Sequence, residues 1–111
     1  MATTGAGEPF VLTATPQIVL TAAANELVIV TRFQAYNSDT TARIVTLYQV
    51  PDGDTPDAAT NLVHKQTVYA GQSTSIDFSG AIAADGAIYA ECDVTDVVIF
   101  SSNYFKSDQL V

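Results

Sequence analysis

Apolar and polar residues alternate with a period of two along much of this chain. The clearest case is 73–79 (STSIDFS), where Thr74, Ile76 and Phe78 point one way and Ser73, Ser75, Asp77 and Ser79 the other. Residues 87–94 repeat the pattern, with Ile88, Ala90, Cys92 and Val94 inward and Tyr89, Glu91 and Asp93 outward. A period of two belongs to a half-buried antiparallel strand, because successive side chains leave opposite faces of a sheet.

The remaining apolar runs are short, rich in β-branched and aromatic residues, and separated by turn chemistry. Runs at 9–14 (PFVLTA) and 17–21 (QIVLT) flank Pro16, which cannot donate to a ladder and so marks an edge or corner. A long strand is expected at 27–36 (LVIVTRFQAY), then a turn at 37–40 (NSDT) and a strand at 43–50 (RIVTLYQV). The first four residues of 27–36 are apolar on both faces, so one end of that strand is either covered twice or meets a neighbour. Strands at 61–70 and 97–105 complete the set. The polar insert 51–60 (PDGDTPDAAT) and the stretch 80–86 (GAIAADG) read as connections, the latter with at most one helical turn. Some eight strands at this spacing, with no helical period and no internal repeat, predict an all-β antiparallel sandwich of jelly-roll type. The domain spans 9–111. Residues 1–8 (MATTGAGE) lack periodicity and read as a flexible arm, either a frayed terminus or a segment that docks on a neighbour.

Charge narrows the partners. Four basic residues stand against 12 acidic ones, a net charge of −8, which opposes nucleic-acid backbones and anionic lipid. Only 14% of residues are charged while 48% are hydrophobic, so the surface is finished with Thr, Ser, Ala, Asn and Gln, a composition that suits packing against other protein. The stretch 10–30 is too interrupted to span a membrane and lacks the basic flank of a signal peptide, so synthesis in a cytoplasm is expected.

No reactive constellation emerges, and the chain is expected not to be an enzyme or to carry a cofactor. His64 is the one histidine, and no G-x-S-x-G elbow exists to pair with it. Asp52, Asp54 and Asp57 suggest a cation loop, but Pro56 interrupts it and no distal Glu follows, which favours a solvated turn. Glu91, Asp93 and Asp96 read as a polar face and a capped turn rather than a glycosidase pair, since the chain has no Trp and little length for a cleft. Cys92 is the lone cysteine, so no intrachain disulfide can form; on the apolar side of its strand it acts as a small hydrophobe. Of the five tyrosines, Tyr89 points outward. Tyrosine is enriched at protein contacts, and Phe10, Tyr36 and Tyr89 are the candidate interface residues.

The central segment resembles a widespread group of small tailed-bacteriophage virion proteins. The resemblance rests on VTLYQVP at 45–51, the Asp-rich loop at 52–60, NLV at 61–63, AGQST at 70–74 and IAADG at 82–86, and covers about residues 26–95. It implies a β-sandwich virion component, commonly oligomeric, with no functional residue to carry over. The expected role is a capsid decoration or cement protein on the outer head surface, bound to the major capsid protein and favoured as a trimer. A tail, neck or fibre-base component is the alternative within the virion. A carbohydrate-binding sandwich is the alternative of another class.

Overall fold

The computed structural model describes residues 2–6, 10–24, 26–51, 55–57, 61–76 and 80–108, and at 2–6, 10 and 105–108 the backbone alone. Asp52, Asp54, Asp77 and Phe78 lie outside the described residues, as does the side chain of Phe10. Ten β elements are present among them: β1 Ala2–Ala6, β2 Phe10–Val11, β3 Gln17–Thr21, β4 Glu26–Asn37, β5 Arg43–Val50, β6 Leu62–Val68, β7 Ser73–Ile76, β8 Gly80–Ile82, β9 Ala87–Cys92 and β10 Val98–Asp108.

The elements form two antiparallel sheets. One runs β1-β10-β4-β7, with β2 also beside β10 and β8 also beside β4; the other runs β3-β9-β5-β6. Elements β1 and β2 lie in line along one edge of β10, and β7 and β8 in line along one edge of β4. Counted as two broken strands they leave eight, in the orders 1-8-3-6 and 2-7-4-5. That is the connectivity of a jelly roll, two Greek keys folded face to face. The sequence expectation of an all-β jelly-roll sandwich therefore holds.

Two local expectations change. Residues 80–82 pair with β4, opposite Val28, Ile29 and Val30, rather than forming a connection. Three residues carry too little pattern to read as a strand, and it is the unpaired edge of β4 that recruits them. The segment expected as an arm runs, over Ala2–Ala6, antiparallel to β10 from Ser107 to Asn103.

The core lies between the sheets. Phe33, Leu47, Ile76, Ile82, Ile88 and Phe100 are fully buried there, and the Phe33 and Phe100 rings stack with centroids 5.1 Å apart. The alternation read at 87–94 is seen from 88 to 93: Ile88, Ala90 and Cys92 are buried, Tyr89 and Glu91 half-buried and Asp93 exposed, while Val94, expected inward, is half-buried beyond the end of β9.

Asn37 closes one end of the sandwich. It is wholly buried, and its Nδ2 donates to the carbonyls of Thr41 and Val68, both at 2.9 Å. Its Oδ1 accepts from Asp39 N at 2.8 Å, and its backbone exchanges hydrogen bonds with Gly71 and Gln72. This one residue so ties the β4–β5 turn to the end of β6 through its side chain and to the β6–β7 turn through its backbone. Within the first turn Arg43 donates through Nε at 2.8 Å and Nη2 at 2.5 Å to one Asp39 carboxylate oxygen. That hydrogen bond, first among the causes, holds the Asp39 carboxyl below its ordinary 3.8. A depressed carboxyl contributes stability above the unfolded value and loses it as pH falls through the folded one. Arg43→Gln should therefore narrow the difference between melting temperatures measured at pH 6 and pH 3.

Candidate interaction surfaces

The described residues hold no cluster of three His, Cys, Asp or Glu side chains able to bind a metal ion. His64 sits half-buried on the edge strand β6, with its Nε2 3.3 Å from Gln66 Oε1. Asp93 Oδ1 accepts from Ile44 N at 3.2 Å, and Asp96 turns the chain at a φ of 69°. In the turn that crosses from β9 in one sheet to β10 in the other, the Asp93 carboxylate thus serves backbone structure. A hollow of about 370 Å³ opens between Gln49, Val50 and Pro51 on one side and Ile82, Ala83, Ala84 and Gly86 on the other, lined mostly by carbon.

What the structure does assemble is apolar surface. On the outer face of the larger sheet, Ile99 of β10 lies directly between Val11 of β2 and Tyr36 of β4. These three side chains are 41%, 48% and 42% exposed respectively, and form one row across three strands. Ser73 of β7 extends it beyond Tyr36. Large apolar side chains side by side and in water mark contact surface more than scattered ones do. On the outer face of the smaller sheet a second row runs Ile18–Tyr89–Tyr48–Leu62 across β3, β9, β5 and β6. Ile18 is exposed, Tyr89 and Leu62 are half-buried, and Tyr48 is buried.

Tyr36 and Tyr89, singled out from sequence, therefore occupy different faces. Phe10 pairs through its backbone with Phe100. Val11, Ile18 and Ile99 were not singled out. The alternation Val98, Phe100, Ser102 inward against Ile99 and Ser101 outward would have exposed Ile99, but the run VVIFSS is apolar at adjacent positions and hides it. The apolar pair of faces expected at the start of β4 is half right: Val28 and Val30 are buried, while Ile29 stands 42% exposed on the outer side.

Tyr48 is held in its row by its neighbour. Its hydroxyl donates to Glu91 Oε1. That hydrogen bond first, then burial and the Glu91 charge, push the Tyr48 hydroxyl up to about 12. Folding favours the neutral phenol, so its contribution is complete below pH ~10 and disappears as pH rises through about 12. Tyr48→Phe should cost about 1 kcal/mol at neutral pH, as expected for a partly solvated hydrogen bond to a carboxylate. It should also flatten the fall in stability between those two pH values, read by urea titration.

Cys92 is 1% exposed and its thiol is pushed up, chiefly by burial. A buried, protonated thiol is a poor nucleophile. Native protein should therefore leave a thiol reagent such as Ellman's essentially unreacted, and yield one thiol per chain once unfolded in guanidinium.

Fold and surface define the class: an antiparallel jelly-roll sandwich with an apolar row on the outer face of each sheet. No family model matches the chain. No curated protein matches it. Among solved structures it is similar to a chain from the work described as "Bacillus endospore appendages form a novel family of disulfide-linked pili", with a TM-score of 0.58 and 11% identity over 99% of this chain and 88% of that one. At that identity the likeness is one of fold.

Proposed function

We propose that this protein is a structural component of a bacteriophage particle, a decoration or cement protein that binds the outer surface of the head. The observation that carries the protein-binding half of this reading is the row Val11–Ile99–Tyr36, three large apolar side chains in contact register on an open sheet face. Its virion half rests on the resemblance at 45–51, 52–60, 61–63, 70–74 and 82–86. Burial of such rows against the major capsid protein would tie neighbouring shell subunits together by hydrophobic contact, at about 25 cal/mol per Å². Net charge of −8 suits a surface that must not capture nucleic acid.

The test is sedimentation of the purified protein with expanded heads that lack it. Saturable co-sedimentation is expected. Association with tails and not with heads would replace the head reading with a tail or neck component.

A second reading has one observation in its favour. The fold likeness to a pilus-forming chain covers nearly the whole molecule, so this chain could polymerise as an appendage subunit. The disulfide linkage named for those pili does not carry across readily, because Cys92 is the lone cysteine and is buried. Negative-stain microscopy of the purified protein separates the two: filaments favour the appendage, discrete particles the decoration protein.

A further inference from the structure

We propose that two copies of this chain associate face to face through the outer surfaces of their larger sheets, with the rows Val11–Ile99–Tyr36 packed against each other. The inference gives to a second copy the row on which the virion reading rests its protein contact, so the two compete for one surface, and it names a two-fold arrangement where the resemblance favours a trimer.

Three observations lead to it. The first is that the sheet edges are blunted. Strand β3 carries an extra residue, Val19, between the pairs Ile18↔Tyr89 and Leu20↔Ile88. Strand β6 carries an extra residue, Val63, between Leu47↔His64 and Tyr48↔Leu62. Along the larger sheet one edge is divided between β1 and β2 and the other between β7 and β8. Bulges and broken edge strands interrupt the straight row of free N–H and C=O groups that strand addition needs. Association is then left to the faces.

The second is charge. A second copy carries the same −8, so like charges oppose contact over most of the surface. The outer face of the larger sheet carries less: among the described residues it holds no carboxylate, and the acid that the alternation of 73–79 sets with Ser73 and Ser75, Asp77, lies outside them. Beyond the apolar row come Gln34, Ser101 and Ser75 in register, then Arg32 with Asn103. The Glu26 carboxylate, at the start of β4, is turned away to accept from Ala23 N at 2.9 Å. The other described acids lie elsewhere: Asp39, Asp93 and Asp96 in loops at one end, Asp57 in the β5–β6 connection, Asp85 in the β8–β9 connection and Glu91 on the opposite face. Packing the larger sheet on the smaller would place Glu91 against an apolar row. Packing it on its own copy buries no carboxylate of these.

The third is area. Four strand positions at ~4.8 Å by eleven residues at ~3.3 Å give roughly 700 Å² per copy. A standard stable interface buries about 800 Å² per partner. With the two-fold axis along the strands, each apolar row meets its own copy at the ~10 Å spacing of packed sheets.

The experiment is equilibrium sedimentation of the full chain and three variants, with circular dichroism as a check of the fold. Wild type at about 100 μM should run at twice 11.7 kDa and dissociate on dilution. Ile99→Lys should weaken the dimer by about tenfold or more, as expected for a charge placed at the centre of an apolar contact. Gln34→Glu, a smaller change that keeps the strand, should weaken it less and recover at high salt, because it sets two carboxylates across the axis. Ile18→Lys, on the opposite face, should leave it unchanged. A wild type monomeric at every concentration, a trimer or larger species, or equal loss from Ile18→Lys would each overturn the proposal. So would a monomer whose binding to phage heads depends on Ile99, which would assign this face to a foreign partner.

Discussion

Phe100→Ala is expected to lower the unfolding free energy by about 3–5 kcal/mol, a loss on the scale of the largest that truncating a core side chain produces. Phe100 is fully buried at the middle of the sandwich, stacked on Phe33 at 5.1 Å. Both rings project inward from adjacent strands of the larger sheet, in neighbouring register positions opposite Ala35 and Ser102. The two small partners leave the room the rings fill, so truncating one opens a cavity the backbone cannot close. Against a total stability of about 5–15 kcal/mol, the loss approaches the threshold for remaining folded. Thermal melts should show a drop on the order of 15 °C or more. Phe100→Leu, which keeps most of the volume, should recover more than half of it. Ile99→Ala, one residue away and 41% exposed, should cost within about 0.5–1 kcal/mol when measured in dilute monomer. Equal effects at 99 and 100 would mean that the facing of β10 is wrong.

Asn37→Leu is the second large effect, expected at about 2–4 kcal/mol. The substitution keeps volume and apolar burial but removes both amide donors and the acceptor. Water can reach the Thr41 carbonyl and Asp39 N–H, since that turn is largely exposed. The Val68 carbonyl is different: its hydrogen bond with Asn37 is buried, and it would be left without that donor. Urea titration should show a lowered midpoint with an unchanged slope. Asn37→Asp gives the sharper test. A carboxylate there would face the carbonyls of Thr41 and Val68, so the variant should be at least as unstable at pH 7 and should regain part of the loss in mild acid, where the protonated group can donate once more.

The two faces carry different consequences. The row on the larger sheet has no carboxylate in register with it among the described residues, while the row on the smaller sheet is anchored by Tyr48 on Glu91 and runs beside Glu91–Thr46–Lys65. A decoration protein needs one surface for the shell and keeps another for solvent or for its own copies. If the larger sheet pairs two copies, the smaller one, with Ile18 exposed and Tyr89 half-buried, is the face left for a shell.

The alternating stretches were legible from sequence because their periodicity is local. Strands β3 and β5 match the runs read at 17–21 and 43–50, and the inward set Ile88, Ala90, Cys92 follows from the order of residues alone. Turn chemistry at 37–40, 71–72 and 93–96 marked where strands stop, since Asn, Asp and Gly tolerate the backbone angles turns require. All-β class, the jelly-roll expectation and the inward Cys92 are in this sense properties of the chain. What it could not contain is which strands would lie side by side. Val11, Ile99 and Tyr36 are far apart in sequence and become a surface only because β2, β10 and β4 adjoin in register. The same holds for Tyr48 and Glu91, and for Asn37, which reads as an ordinary turn residue until the β6–β7 turn closes over it. Residues 80–82 are a strand only because β4 offers them an edge. Alternation within a strand follows from the geometry of one chain, but partnership between strands is a collective solution to burying apolar faces, and only the folded molecule decides it.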